Sequence, residues 1–232
     1  MIHIIQSDPD VPVGIVGDEL RRCGIEQTTV RVFQGERLPG LADVSGVIVL
    51  GGAMGANDDA RHPFLTDLKR FIGALVEQEI PLLGICLGGQ LLSVTTGGVV
   101  TSNSNGEKGT CAIMLTGEGG ADPLFRGVGR AFISFQWHND SFSIPEQGIR
   151  LAFTETCHNQ AFRVGARAWG LQFHPEVSRE IVREWSSWTP ETAARTEEFV
   201  AAFQERENDY RAVSRQLVEN FVEIAGLISR AP

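Results

Sequence analysis

Positive charge is in short supply in this chain of 232 residues, where 20 basic residues face 29 acidic ones for a formal net charge of -9. That balance disfavours a nucleic-acid backbone or an anionic membrane surface as partner. Cysteine is equally sparse. Cys23, Cys86, Cys111 and Cys157 are scattered, with no CxxC pair among them, so no disulfide framework is expected. The opening MIHIIQSDPD has neither a basic region nor a long apolar core, and no apolar stretch reaches the ~18 residues of a membrane span. No secretion signal is expected, and reduced thiols in the cytoplasm are. Internal repeats and low-complexity tails are absent too. The Gly51-Gly52 pair lacks the Gly-Lys-Ser/Thr continuation of a phosphate-binding loop, and no ATP-binding signature is visible. No cofactor and no metal are expected.

What is present has the rhythm of an α/β protein. Short apolar runs at Ile2 to Gln6, Thr28 to Phe33, Gly46 to Leu50 and Leu82 to Ile85 read as buried strands. Between the last two, Phe64, Leu68, Phe71, Ile72 and Leu75 recur at helical spacing, which predicts a crossover helix ending before Pro81. Such βαβ units predict an open, mostly parallel sheet flanked by helices. Gly97-Gly98 is expected to end its parallel part. Residues 99 to 173 read as antiparallel additions, with turns at Gly117 to Gly120, Pro145 to Gly148 and Gly165. From Ser178 the chain becomes charged and helical. Ile181, Val182, Trp185 and Trp188 read as one helix, and Tyr210, Val213, Leu217, Phe221, Ile224 and Ile228 as the apolar face of another. The division expected is a main domain over 1–177 and a helical extension over 178–232 packed on it.

The stretch PLLGICLGGQ, Pro81 to Gln90, sets one cysteine between two glycines where a buried strand should turn into a helix. The frame Gly84-Ile85-Cys86-Leu87-Gly88 has the spacing of a nucleophile elbow, whose turn is too tight for side chains on either flank. Unpaired amides at the helix N-terminus favour an anionic sulfur there. An ordinary core strand ending in cysteine is the other reading of this segment alone. A thiol nucleophile needs an oriented base, and His174-Pro175-Glu176 offers one. Pro175 pushes His174 toward an extended conformation, so that imidazole and carboxylate can fall on one side. A surface turn, or two ligands of a metal, would also use His and Glu; neither involves Cys86. The other three cysteines read as small core residues.

Taken together, VIVLGGAMG (Val47 to Gly55), GICLGGQ (Gly84 to Gln90), QWHNDSF (Gln136 to Phe142) and GLQFHPEV (Gly170 to Val177) resemble the class I glutamine amidotransferases. These enzymes hydrolyse the side-chain amide of glutamine with a Cys, His and Glu triad. The likeness runs over most of residues 1 to 177. Trp137 and the run Asn159 to Arg163 are most similar to the stand-alone, GMP-synthase-like branch. The resemblance implies a flavodoxin-like amidotransferase fold and a triad of Cys86, His174 and Glu176. It further implies an oxyanion hole from the Gly52 and Leu87 amides, and a substrate pocket shaped by Gln90, Trp137, His138, Asn139 and Asp140. Gly89 stands where many relatives carry His or Ala, and Asn139 where glycine is common, which opens the question of substrate.

The activity implied is hydrolysis of glutamine to glutamate and ammonia through a γ-glutamyl thioester on Cys86. A separate synthetase subunit would receive the ammonia. A stand-alone γ-glutamyl hydrolase or peptidase acting on γ-glutamyl amines or peptides is the nearest alternative, and a catalytically silent binding or regulatory module the next. The sequence is compatible with a homo-oligomer.

Overall fold

The computed structural model describes residues 1–229; the last three residues of the expected extension, 230–232, lie outside them. In chain order the elements begin with β1 (Ile2–Gln6), α1 (Gly14–Arg22), β2 (Gln27–Arg31), β3 (Gly46–Val49), α2 (Phe64–Glu77), β4 (Leu82–Ile85) and α3 (Leu87–Thr95). There follow β5 (Val100–Thr101), β6 (Glu107–Leu115), α4 (Gly117–Ala121), β7 (Ala131–His138), β8 (Ser141–Phe142), β9 (Gly148–Phe153), β10 (Ala161–Val164) and β11 (Ala168–Leu171). Three helices follow among the described residues: α5 (Arg179–Ser186), α6 (Pro190–Ala193) and α7 (Thr196–Ile224).

One nine-stranded sheet runs in the order β2-β1-β3-β4-β11-β10-β9-β6-β7, and β5 and β8 pair separately as a two-stranded ribbon. The strands from β2 to β11 are parallel and the remainder antiparallel. Period-two alternation sends Ile2, Ile4, Ile48, Leu83 and Ile85 to one face, where they join residues of α1, α5 and α7. Ile5, Val47, Val49 and Leu82 face the other way, against α2 and α3. The crossover helix is α2, with Leu65, Leu68, Phe71, Ile72 and Leu75 buried.

Four expectations need correction. The parallel part does not end at Gly97-Gly98, because the β10–β11 hairpin folds back and lays β11 parallel to β4. Local sequence carries no sign of that long-range pairing. The expected strand over Thr28 to Phe33 stops at Arg31 and gives way to a 3-10 turn over Val32–Gln34. The expected turn at Gly117 to Gly120 is the short helix α4, started by the Thr116 hydroxyl, which accepts from the Gly119 amide at 2.9 Å. Trp188 lies beyond the end of α5, 39% exposed.

α7 is built into the core. Phe199, Phe203, Tyr210, Leu217 and Phe221 are buried in the same cluster as Ile2 and Ile4, and Ile228, past the helix end, packs against it. Arg22 of α1 pairs with Glu219, and Arg126 with Glu223. Among the described residues, no helix is long and apolar enough to cross a membrane.

Phe203 is fully buried, its ring 4.8 Å from Tyr210 and 6.0 Å from Phe135 of β7. Phe203→Ala is expected to lower stability by about 3–5 kcal/mol, the cost of emptying an aromatic core site. Urea unfolding measures this; a loss below about 1 kcal/mol would show that α7 is a loosely attached appendage.

Candidate active site

Register brings the site together. Leu171 of β11 pairs with Ile85 of β4, and the Cys86 amide donates to the Leu171 carbonyl at 2.8 Å. The chain leaving β11 therefore runs beside the elbow at the carboxyl end of the sheet, where open α/β sheets place their sites. At the elbow Cys86 takes φ 49° and ψ -105°, a strained conformation for a residue with a Cβ. The turn is close enough that a Cβ on Gly84 would stand 2.4 Å from the Gly88 carbonyl carbon, and one on Gly88 only 2.2 Å from the Val49 oxygen. α3 starts immediately after, with no side chain capping its first amides, so their partial positive charge remains available to an anion.

His174 and Glu176 lie on the segment that follows β11. His174 Nδ1 is 2.6 Å from Glu176 Oε1. A carboxylate only accepts, so Nδ1 carries the hydrogen and Nε2 is the ring's free position. Cys86 and His174 converge over Gly51: a Cβ built there would meet His174 Cε1 at 3.3 Å and Cys86 Cβ at 3.6 Å. Burial by itself would lower the His174 pKa, but the adjoining Glu176 carboxylate and the Cys86 sulfur outweigh it and push it up to about 10. The imidazolium is thereby the favoured form at neutral pH. Burial also pushes the Cys111 and Cys157 thiols up, each to about 11, which leaves neither a ready nucleophile.

The backbone of His174 is fixed on both sides. Its amide donates to the Phe135 carbonyl at 2.8 Å, and its carbonyl accepts from the Tyr210 hydroxyl of α7 at 3.0 Å. Burial and the nearby Glu176 charge hold the Tyr210 phenol well above its ordinary pKa, which keeps it a donor. The Glu176 carbonyl accepts from the Ile15 amide of α1 at 2.9 Å. Trp185 packs edge-on to the imidazole with centroids 4.7 Å apart, while its Nε1 donates to the Asp10 carbonyl at 2.9 Å.

A pocket of about 220 Å³ opens above these groups. Cys86, His174, Gly52, Gln90 and the Trp137–Asp140 loop all line it. Of the residues expected at the site, Glu176 stands behind His174 and the side chain of Leu87 is buried under the elbow. Gly52 is held by its neighbours: the Ala53 amide donates to Asp8 Oδ2 at 2.9 Å, and a Cβ on Gly52 would strike Met54 Sδ at 2.5 Å. Gln90 reaches the Asp140 carbonyl at 3.4 Å. Asn139 is exposed at the pocket mouth. Trp137 stacks on Phe135 at 5.9 Å. The Asp140 carboxylate accepts from the Asn103 amide at 3.0 Å and from Ser102 Oγ at 3.3 Å, tying the loop down. The His138 side chain is 1% exposed and turned inward toward Glu107.

Three residues absent from the sequence-derived site act on it. Gln172 Nε2 donates to Cys86 Sγ at 3.6 Å, and Gln172 Oε1 accepts from Gln90 at 3.4 Å. Its position two residues before His174, in the segment leaving a strand, was the available signal. Asp8, just past β1 at the same carboxyl edge, had a similar one. Tyr210 sits in an apolar helical stripe, and only its hydroxyl, which needs a partner once buried, marked it.

Comparison with known proteins identifies the family and the fold. The family model described as glutamine amidotransferase class-I matches residues 15–182, well over half of the chain. The glutamine-hydrolyzing GMP synthase of Symbiobacterium thermophilum is 34% identical over 169 residues, 65% of this chain and 31% of that protein, so this chain spans under a third of that relative. One subunit of the glutamine-hydrolyzing GMP synthase of Picrophilus torridus is 32% identical over 140 residues, 60% of this chain and 70% of that one. Among solved structures, a glutamine amidotransferase from Thermotoga maritima superposes with a TM-score of 0.87 at 29% identity, covering 96% of this chain and 97% of that one. One from Methylobacillus flagellatus gives 0.87 at 28% identity, covering 100% and 96%. With the elbow, the His–Glu pair and the pocket in the order its motifs require, the chain belongs to the class I glutamine amidotransferases.

Proposed function

We propose that this chain hydrolyses the side-chain amide of glutamine to glutamate and ammonia, with Cys86 as nucleophile. The observation that carries the reading is the strained elbow at Cys86, φ 49°, set against a buried His174–Glu176 pair 2.6 Å apart. Strain of this kind, with Gly84 and Gly88 on either side both closed to a side chain, suits a site that must present one sulfur to a substrate.

In this mechanism the Cys86 thiolate adds to the γ-carbonyl carbon, and the oxyanion is held by the Gly52 and Leu87 amides. The His174 imidazolium gives its proton to the departing nitrogen, so ammonia leaves and a γ-glutamyl thioester remains. The now neutral ring takes a proton from water as the water attacks the thioester. The thiolate is expelled, glutamate is released, and His174 is imidazolium again. Glu176 fixes the tautomer throughout, which its 2.6 Å contact with Nδ1 supports. Gln172, donating to the sulfur at 3.6 Å, stabilises negative charge on it. Gln90 and the Trp137–Asp140 loop shape the pocket for the glutamine α-amino and carboxylate groups. Relatives named as one subunit of a GMP synthase support a separate synthetase as recipient of the ammonia.

A second reading, hydrolysis of γ-glutamyl amines or peptides, is favoured by the apolar wall of the pocket. Trp185 lies against His174, from which the leaving group takes its proton, and Trp188 continues that wall at 5.4 Å from Trp185. Ammonia gains nothing from such a surface, whereas an organic amine would.

Intact mass with glutamine and a panel of γ-glutamyl amines decides between the two. A covalent γ-glutamyl adduct is expected on the unaltered protein and not on Cys86→Ser, whose turnover should vanish. Faster adduct formation with an amine than with glutamine would move the assignment to the second reading. Full turnover by Cys86→Ser would overturn both.

Glu176→Gln is expected to reduce kcat by about 10²- to 10⁴-fold, the span of a positioned acid–base group. It should also bring the His174 pKa down from about 10 toward the ordinary 6.5. The sign follows from the raised value: the ion pair stabilises the fold fully below about 6.5, and that contribution is lost as pH rises through about 10. Histidine-ring NMR titration reads both proteins; an unchanged His174 value in Glu176→Gln would remove Glu176 from the triad.

A further inference from the structure

Behind the pocket wall, Glu107, His138 and Cys157 meet in a second cluster. Each offers one ligand atom, and these atoms all lie within 4.8 Å of one another. Glu107 opens β6 and His138 closes β7, directly opposite each other in the ladder. Cys157 comes from the turn between β9 and β10, closed by its amide donating to Thr154 Oγ1 at 2.9 Å. The His138 and Glu107 side chains are 1% and 14% exposed, and Cys157 is 1% exposed.

The hydrogen-bond arithmetic leaves one place unfilled. His138 Nδ1 lies 2.9 Å from the Asp140 carbonyl, which can only accept, so Nδ1 carries the hydrogen. Nε2 is buried without a hydrogen-bond partner. It faces Glu107 Oε2 at 3.6 Å, beyond hydrogen-bond reach. The carboxylate is itself oriented from outside the cluster, by Thr154 Oγ1 at 2.9 Å and by Gln160 Nε2. An imidazole fixed by a backbone carbonyl and a carboxylate fixed by neutral donors, facing each other with a thiol within 4.8 Å, have the supporting shell that metal ligands use. Bond lengths of about 2.0–2.3 Å at tetrahedral zinc set ligand atoms about 3.3–3.8 Å apart, a span that includes the observed 3.6 Å between Nε2 and Oε2.

We propose that Glu107, His138 and Cys157 bind a divalent transition-metal ion of the zinc type, with water in the fourth position. The Cys157 thiol, now directed to the Asn159 carbonyl at 3.7 Å, releases its proton to solvent as the sulfur turns onto the ion. The site ties the first residue of β6, the last of β7 and the β9–β10 turn together beneath the Trp137–Asp140 loop, so its role is to hold one wall of the pocket. The residues are too far apart in sequence to show a ligand motif, which is why no metal was expected from it. The inference stands whether or not the chain hydrolyses an amide.

Cobalt and zinc titrations test it, run on Cys86→Ser because Cys86 and His174 are themselves a thiol–imidazole pair. Equimolar Co²⁺ is expected to produce a sulfur-to-cobalt band in the near ultraviolet and the intense visible bands of a tetrahedral ion. Zn²⁺ should displace it and raise Tm. The cobalt–sulfur band should disappear in Cys86→Ser/Cys157→Ser. Thr154→Val, which leaves all three ligands in place, should weaken binding about 10- to 100-fold. Absence of the bands with folded Cys86→Ser at excess Co²⁺, or their persistence after Cys157→Ser is added, would overturn the proposal. Because the first result is read on a protein with the ligands intact, a folding defect in a variant cannot mask it.

Discussion

The parallel pairing of β4 with β11 is the constraint on which the rest of this structure depends. It is sealed at its end by the Cys86 amide donating to the Leu171 carbonyl at 2.8 Å. This contact joins two segments far apart in sequence and fixes their relative height. A slip of one residue would reverse every side chain on β11 and carry Gln172 and His174 away from the sulfur. The long antiparallel excursion from β6 to β10 ends in a hairpin that delivers β11 to this central position.

The tight elbow is supported from outside. Its φ of 49° at Cys86 belongs to a region that costs on the order of 1–3 kcal/mol for a residue with a side chain. The surroundings must over-determine it. Val49, Gly84 and Gly88 do so through backbone approaches that leave no room for a Cβ on either glycine, and Leu171 by accepting from the Cys86 amide. On the opposite side, α7 contributes the Tyr210 hydroxyl to the His174 carbonyl, and α1 the Ile15 amide to the Glu176 carbonyl. Helices from both ends of the chain thus set the position of the His174–Glu176 segment. This gives the C-terminal helix a direct mechanical link to the proposed chemistry.

The pocket is asymmetric. Its polar side is a loop whose shape is dictated by backbone partners, with Asp140 tied to Asn103 and Ser102 and its carbonyl shared by Gln90 and His138. Its apolar side is Trp185 and Trp188, adjoining the imidazole. In the proposed reaction the first would face the amino-acid head group and the second the leaving group.

Much of this was legible in the sequence, because its causes are local. Continuous β-branched and apolar runs specified β1, β3 and β4 as buried strands, and the spacing of Leu68, Ile72 and Leu75 specified α2. The glycines around Cys86 announced an elbow because only glycine fits so close a turn. His174 and Glu176 could be paired because they lie two residues apart on an extended segment, where alternation brings them to one side. The parallel placement of β11, the contact of Tyr210 with His174, the donation from Gln172 to Cys86 and the meeting of Glu107, His138 and Cys157 were not legible. Each depends on which strand lies beside which and on where helices dock, and these are set by burial of the whole core. The sequence by itself determined the candidate chemical groups and their local geometry; only the tertiary structure decided which of them meet, because distance in the chain says nothing about distance across a sheet.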